Sequence, residues 1–169
     1  MKFDKVQFVY IDMEYLKKLN EIESEIFFDP ENVNYKEKPH LGILLNNDGR
    51  EYVIPLTSAK EKHKTWEDVS ASWYRIYEII EKSEIRESDI IVDIKNRDIL
   101  NKIALEEQDN YRQRILAVLD IRKMFPVKKG LYTKIKFEIS TKLTKKENQK
   151  MLLMMKEYSF ILNISDKIE

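Results

Sequence analysis

Residues 40–56 have the sequence HLGILLNNDGREYVIPL, and this stretch decides the fold. Two apolar, strand-like runs, His40–Leu45 and Arg50–Leu56, flank a polar turn that contains Asp48-Gly49. Asp-Gly between two such runs is the strongest short signal for a β-hairpin, so we predict two antiparallel strands here. Pro55 cannot donate a backbone hydrogen bond. We therefore expect the second strand to lie near a sheet edge or to end there.

The residues before the hairpin predict a strand, a helix and a loop. Apolar and other side chains alternate over residues 6–10, which is typical of a strand. Asp12 can then cap a helix whose apolar residues recur at helical spacing and which ends near Ser24. Residues 25–39 are polar and contain two prolines, so we expect a loop of the length that often carries function.

The residues after the hairpin complete an α+β pattern. Further strands are predicted over 115–121 and 131–139, joined by a turn at 127–130. Residues 73–80 fit either a helix, through the spacing of their apolar residues, or a strand, through their β-forming residues, and we favour the strand. Residues 98–107 have helical spacing, and a Thr-x-x-Glu capping box at 144–147 opens a final helix. The apolar stripe that we predict for that helix consists of Met151, Leu152, Met155 and Leu162. The expected fold is α+β, a twisted, mainly antiparallel sheet with flanking helices.

Composition excludes several kinds of chemistry. The 169 residues include no Cys and 2 His, which removes disulfides, thiolate zinc sites, cysteine nucleophiles and His-rich metal centres. The three glycines are too far apart for a dinucleotide fingerprint or a P-loop. Acidic neighbours such as Asp89 with Asp93, or Glu106 and Glu107 with Asp109, are better explained as solvated surface in a chain with 36% charged residues. We expect no metal and no cofactor.

Charge and hydropathy indicate a soluble protein. The 30 Lys and Arg balance the 30 Asp and Glu, so an anion-binding site requires local segregation of charge. No apolar run approaches the length of a membrane span, and we expect a cytoplasmic protein without a membrane partner.

Residues 57–64, TSAKEKHK, are the best candidate for a functional site. They place two hydroxyls, three lysines and one imidazole directly after a buried strand. Hydroxyls and backbone N–H groups bind phosphate, and Lys60 adds positive charge. The ordinary alternative is a Ser/Thr turn followed by a charged surface helix, with His63 at the surface. A Ser58–His63 hydrolase dyad has little support, because the sequence contains no G-x-S-x-G elbow.

Several motifs in this chain resemble the ToxN/AbiQ toxins of type III toxin–antitoxin and abortive-infection systems, and the CptN-like subgroup in particular. The Pro-Leu-Thr-Ser block at a strand end is the most specific of them. The residues that carry the resemblance are Tyr15-Leu16 and Leu19, Lys38 before the Gly42 strand, Pro55-Leu56-Thr57-Ser58 with Lys60 and His63, Leu119-Asp120-Ile121, and Met124-Phe125-Pro126-Val127. The match spans most of the chain, with an apparent insertion around 81–113 in a single domain over 1–169.

The resemblance implies an endoribonuclease with a fold similar to the Kid and MazF toxins. It also implies inhibition by a small RNA antitoxin of pseudoknot repeats in a closed protein–RNA assembly, with cellular or phage RNA as substrate. The candidate catalytic residues that it implies are Tyr15, Lys38, Thr57, Ser58 and Lys60, with His63 as a neighbour. Family members carry another tyrosine before the equivalent of Lys38. Here the aligned residue is Asn34, and Tyr35 fits only if the loop shifts by one.

Because the sequence offers no metal-ligand spacing, we expect the RNA's own 2'-OH to attack the adjacent phosphate. This route gives a 2',3'-cyclic phosphate and a 5'-OH, and it needs a base, a proton donor and positive charge. Lys38 and Lys60 are the candidates for charge stabilisation, and Thr57 and Ser58 for holding the phosphate. The identity of the base is open, since Lys and Tyr require tuning and His63 depends on its position.

RNA binding needs a basic surface beyond these residues. The candidate RNA-binding lysines are Lys123, Lys128, Lys129, Lys142, Lys145, Lys146 and Lys150. The alternative function is a noncatalytic RNA- or protein-binding module on the same sheet.

Overall fold

The computed structural model describes residues 5–23, 40–44 and 50–165. These residues divide into two compact units, one formed by the described residues up to Leu56 together with those from Asp120, the other by Thr57–Leu119. No helix in the described residues is both long and apolar enough to cross a membrane. The interpretation as a single domain with an insertion around 81–113 stays a prediction.

The first unit is built on an antiparallel sheet. Strand β1 (Lys5–Ile11) pairs with β2 (His40–Leu44) on one side and with β8 (Tyr132–Lys134) on the other. β2 pairs with β3 (Glu51–Ser58), and β3 also pairs with β7 (Phe125–Val127). The predicted first strand and the hairpin pairing are therefore confirmed, whereas the turn at 45–49 lies outside the described residues.

The prediction that the second strand of the hairpin lies near a sheet edge or ends at Pro55 is wrong, because β3 has neighbouring strands in the sheet order on both sides. β3 continues through Ser58, and Pro55 lies opposite His40, the first residue of β2. The missing N–H of Pro55 is tolerated because the ladder between β2 and β3 reaches its last pair there. The strand predicted over 131–139 is likewise shorter than expected, since only β8 forms.

Helix α1 (Met13–Ile22) begins where the sequence predicted. The Asp12 Oδ1 accepts a hydrogen bond of 3.0 Å from the Tyr15 N–H, which satisfies one of the free donors of the first turn. α1 buries Leu16 against the sheet, so a single apolar core joins β1, α1, β3 and β7. The core residues are Val9, Ile11, Leu16, Val53, Phe125 and Val127.

Helix α3 (Lys145–Ser165) opens with the predicted capping box but buries a different face. Thr144 and Glu147 exchange hydrogen bonds of 3.1 and 3.2 Å between side chain and backbone. The predicted stripe is wrong, because Leu152, Met155 and Leu162 are exposed. The helix instead buries Met154, Glu157 and Ile161, and the ring of Tyr158 packs against Phe8 and Phe137.

The second unit contains strands β4 (Trp73–Glu81), β5 (Ile90–Val92) and β6 (Tyr111–Asp120), the last of which ends at the boundary between the units. β6 lies beside β4 and pairs antiparallel with β5. The strand prediction at 73–80 is confirmed, and the antiparallel α+β class holds for both units.

The helix predicted at 98–107 is wrong. The chain forms α2 (Arg97–Leu100) and then a 3-10 helix, Leu105–Asn110, with a break between them. The Gln108 amide donates to the carbonyls of Leu100 and Ile103, so a side chain satisfies acceptors that a continuous helix would pair internally. Within the described part of the chain, the other 3-10 helices are Glu61–Thr65, Lys82–Glu84 and Ile121–Lys123.

We predict that Glu157 makes the stability of the protein fall as pH rises. Burial raises the pKa of this carboxyl from 4.5 to about 8, and its side chain is only 5% exposed. Between these two values the unfolded chain releases the proton first, so the free energy of unfolding decreases with pH. At 1.36 kcal/mol per pH unit, the penalty reaches at most about 5 kcal/mol by pH 8.

Replacing Glu157 by Gln removes this titration. Urea unfolding from pH 4.5 to 8 should give similar stability for Glu157→Gln and wild type at the acid end, with the variant gaining as pH rises. Glu138→Gln, at an exposed position of the same unit, is the matched control and should show no such trend. A gain for Glu157→Gln that is constant over the whole range would contradict the prediction.

Candidate active site

The candidate site begins at the end of β3. Thr57 and Ser58 are the last two residues of that strand, and the Ala59 N–H donates to the Leu116 carbonyl of β6 at 3.3 Å. Thr57 and Ala59 are half-buried, whereas Ser58 and Lys60 are exposed. This alternation continues the two-residue period of the strand, and the backbone of Lys60 is extended (φ −134°, ψ 163°).

Ser58 and Lys60 therefore lie on one exposed face. Two residues of extended chain separate their Cα atoms by about 7 Å, since a strand rises about 3.3 Å per residue. A hydroxyl and an ammonium group at this spacing can contact different oxygens of one phosphodiester. Of the predicted catalytic residues, the structure brings together Thr57, Ser58, Lys60 and His63 within the second unit.

A short 3-10 helix, Glu61–Thr65, follows Lys60 and is called the 61–65 helix below. His63, within it, is 1% exposed, so the expectation of a surface histidine is wrong. The imidazole Nδ1 of His63 accepts a 2.9 Å hydrogen bond from the backbone N–H of Lys60. The backbone N–H of His63 donates to the Lys60 carbonyl, also at 2.9 Å. Because Nδ1 is an acceptor here, the imidazole is neutral and carries its proton on Nε2.

A buried arginine supports the 61–65 helix from β4. Arg75 is 7% exposed, and its Nη1 donates to the carbonyls of His63 (3.0 Å) and Lys64 (3.3 Å). Its Nε and Nη2 donate to the Asp68 Oδ1 at 2.9 and 2.7 Å. The Gln113 amide donates to the same oxygen at 2.6 Å. Asp68 thus neutralises the buried guanidinium, as burial of a charge requires.

Trp66 packs against His63, and Trp73 packs against Trp66. The edge-on contact between His63 and Trp66 has a centroid separation of 4.7 Å, and Trp66 and Trp73 are 4.6 Å apart. The Trp73 indole N–H donates to the Glu67 carbonyl at 3.0 Å, which fixes its ring. These aromatic side chains exclude water from the inner side of the 61–65 helix.

Tyr15 lies in the first unit, on α1. Its hydroxyl donates to the Pro126 carbonyl at 2.5 Å and its ring packs near Phe125. Burial raises the pKa of the phenol above 10.0, so the group is protonated at neutral pH. This geometry favours a donor or packing role over that of a base. Lys38, with Asn34 and Tyr35, lies outside the described residues.

The predicted RNA-binding lysines all lie in the first unit. Lys128 and Lys129 are exposed in the turn between β7 and β8, and Lys145 and Lys146 are exposed in the first turn of α3. The Lys150 Nζ lies 5.9 Å from the centroid of the Tyr10 ring. The segment from 120 to 169 has 12 Lys and Arg against 6 Asp and Glu, so charge is segregated despite a net charge of zero.

Three of the acidic residues that the sequence analysis assigned to solvated surface form ion pairs. Asp89 binds Arg114 at 2.8 Å, Asp93 binds Arg112 at 3.3 Å, and Asp109 binds both Lys82 and Arg112. Burial acts to raise the pKa of Asp89, but hydrogen bonds from the Arg86 N–H and Arg114 lower it overall. Among the described residues, no group of three His, Cys, Asp or Glu side chains could hold a metal ion.

Sequence reasoning missed the supporting residues Asp68, Arg75 and Gln113. Arg75 lies in a strand that the sequence did predict. Because a charged residue in a strand ordinarily faces solvent, nothing in the sequence indicated that Arg75 is buried. Asp68 lies 7 positions from Arg75 and 45 positions from Gln113, separations that no periodic pattern links. Gln113 gave no signal either, because it stands between Arg112 and Arg114 in the polar first half of β6, although it is completely buried.

Comparison with known proteins agrees with these features. A family model described as "Toxin ToxN, type III toxin-antitoxin system" matches residues 7–169. No curated protein matches the chain at the sequence level. The resemblance inferred from the motifs is confirmed at the level of the family, and the CptN-like subgroup stays a prediction.

Solved structures share the fold. One comes from work on selective toxin inhibition by a non-coding RNA pseudoknot in bacterial type III toxin–antitoxin systems. Its chain is 22% identical to this one, with a TM-score of 0.59, and the match covers 98% of this chain and 74% of that one. AbiQ, a lactococcal anti-phage endoribonuclease, is 21% identical, with a TM-score of 0.59 over 97% and 76%. A third structure belongs to a bacterial antiviral system that is regulated by a processed non-coding RNA. Its chain is 20% identical to this one, with a TM-score of 0.58, and the match covers 96% of this chain and 78% of that one. Taken with the family match across residues 7–169, the chain belongs to the ToxN toxin family of type III toxin–antitoxin systems.

Proposed function

We propose that this chain is an endoribonuclease toxin held inactive by a small non-coding RNA of pseudoknot repeats. The observation that carries the proposal is the exposed Ser58 and Lys60 on one face at the end of β3, in a chain of the ToxN family. AbiQ, which shares the fold, is an endoribonuclease. Another solved structure with this fold comes from work on toxin inhibition by a non-coding RNA pseudoknot. An RNA substrate and an RNA inhibitor both suit a cytoplasmic protein.

The proposed reaction is a metal-independent transesterification. The 2'-oxygen of the substrate attacks the adjacent phosphorus while the bond from phosphorus to the 5'-oxygen breaks. The 2'-OH loses its proton and the leaving 5'-oxygen gains one, so the products are a 2',3'-cyclic phosphate and a 5'-OH. The pentacoordinate transition state carries more negative charge on its oxygens than the substrate, and cations and donors fixed in position stabilise it selectively.

The described residues supply such groups. Ser58 donates a hydrogen bond to a non-bridging oxygen, and Lys60 supplies positive charge to the same phosphate. Thr57, half-buried beside them, helps to hold the phosphate from the strand. Lys38 and Tyr15 complete the proposed catalytic set on the family resemblance. The Tyr15 phenol keeps its proton, and donating it to substrate requires its hydrogen bond to the Pro126 carbonyl to break.

Replacing Ser58 or Lys60 with Ala should abolish toxicity. We expect cleavage to fall by about 10²–10³-fold in each variant, which is the usual cost of removing one transition-state donor or charge. Lys62→Ala, at an exposed lysine of the 61–65 helix, is the matched control and should cut RNA at close to the wild-type rate. Growth arrest on expression without antitoxin, together with single-turnover cleavage, provides the measurement. Equal toxicity of Ser58→Ala, Lys60→Ala and wild type would remove these residues from the catalytic set.

The chemistry of the cut can be tested on the substrate. Excess EDTA should leave the cleavage rate unchanged, and a single 2'-deoxy sugar at the cleavage position should block the reaction because the nucleophile is missing. The ends should be a 2',3'-cyclic phosphate and a 5'-OH, identified by mass spectrometry. A 5'-phosphate, or activity that magnesium restores after chelation, would instead indicate metal-dependent hydrolysis.

Antitoxin binding should depend on the basic start of α3. Each lysine–phosphate contact releases condensed counterions, so affinity should fall as salt rises, and the double variant Lys145→Glu/Lys146→Glu should bind the repeat RNA more weakly with a shallower salt slope. Lys95→Glu/Lys102→Glu changes the net charge equally at exposed positions of the second unit and is the control. Equal inhibition of both double variants and wild type would place the RNA-binding surface elsewhere.

A noncatalytic RNA- or protein-binding module is the alternative. It predicts RNA binding without cleavage by purified wild-type protein, and unchanged growth when the chain is expressed alone.

A further inference from the structure

We propose that His63 is a positioning residue: its neutral imidazole fixes the backbone of Lys60 and thereby keeps Lys60 beside Ser58. Arg75, bound by Asp68, holds the backbone carbonyl of His63 in place. This inference rests on the proposed function and assigns His63 a role other than proton transfer with the substrate. All the residues involved belong to the second unit.

The first step of the argument is the direction of the hydrogen bonds. The backbone N–H of Lys60 donates to the imidazole Nδ1 of His63, and the backbone N–H of His63 donates to the Lys60 carbonyl, both at 2.9 Å. The two residues therefore hold each other through both backbone polar groups of Lys60. A proton on Nδ1 would face the Lys60 N–H and break the first of these bonds. The nitrogen that holds Lys60 is thus unable to accept a proton from substrate without releasing Lys60.

The second step is the burial of this arrangement. His63 is 1% exposed and packs edge-on against Trp66, so its imidazole is shielded from water. The hydrogen bond that Nδ1 accepts is part-buried, so loss of the acceptor would leave the Lys60 N–H incompletely solvated. Lys60 therefore has a strong preference for the extended conformation seen here, which places it on the same exposed face as Ser58.

The third step is the support from β4 and β6. Arg75 donates to the carbonyls of His63 and Lys64, and it is held by Asp68. The Gln113 amide donates to that carboxylate, while its own Oε1 is buried without a partner among the described residues. The unit thus tolerates an unsatisfied polar atom in order to give Asp68 a third donor. A rigid scaffold of this kind suits groups that must be held in place for catalysis.

Asparagine and alanine at position 63 separate positioning from proton transfer. The Asn side-chain oxygen can occupy the place of Nδ1 and accept the Lys60 N–H, but Asn cannot exchange a proton at neutral pH. We expect His63→Asn to cut RNA within about tenfold of wild type. His63→Ala, and His63→Gln with its acceptor displaced toward the Nε2 position, should lose about 10²-fold, as expected for a misplaced catalytic group.

Circular dichroism melts would identify variants that do not fold, and only folded variants enter the comparison. If folded His63→Asn were as inactive as His63→Ala while wild type cut RNA, the inference would fail and the proposed function would stand. If wild type itself cut no RNA, the proposed function would fail, and with it this role for His63.

A second measurement needs no variant to be active. The chain has 2 histidines, so side-chain ¹⁵N NMR of the wild-type protein gives two imidazole patterns, and His63→Asn or His63→Gln assigns them. At neutral pH we expect the His63 Nδ1 to be an unprotonated acceptor and Nε2 to carry the proton. A proton on Nδ1 would overturn the inference whatever the cleavage data show.

Discussion

The ion pair between Arg75 and Asp68 is the constraint on which the candidate site depends. A guanidinium that is 7% exposed needs a counter-charge and acceptors for its N–H groups, and the chain provides both within a few residues of the site. The carbonyls that it binds belong to the 61–65 helix, so satisfying the buried charge also fixes the segment that follows β3. Removing Asp68 would leave the buried guanidinium without its counter-charge, and we expect the whole segment to move as a result.

The two units divide two requirements of the proposed endoribonuclease. The described residues proposed to contact a scissile phosphate, Thr57, Ser58 and Lys60, are few and lie at the end of one strand, where the backbone of Lys60 is extended. The basic residues that suit a longer RNA lie in the first unit on the β7–β8 turn and the start of α3, where exposure leaves them free to adapt. A net charge of zero therefore hides a strongly basic C-terminal segment.

Local signals in the sequence predicted local structure well and long-range structure poorly. The Asp-Gly hairpin, the Asp12 cap and the Thr144 capping box depend on neighbouring residues, and all their described parts are confirmed. The prediction for the buried face of α3 was wrong because apolar residues occur on all sides of the helix. Packing against β1 determines that Met154 and Ile161 are the buried ones. For the same reason the sequence located Thr57–Lys60 but left His63 ambiguous, since partners far along the chain bury it.

The buried carboxyl of Glu157 also changes the charge of the folded protein. With a pKa of about 8, this group is mostly protonated at pH 7, whereas in the unfolded chain it is ionised. Folding at neutral pH therefore takes up close to one proton from solvent, and the heat of folding will depend on the ionisation enthalpy of the buffer. The native protein accordingly has about one negative charge fewer than the formal count gives. The neutral carboxyl lies in the same segment as the basic residues proposed to bind RNA.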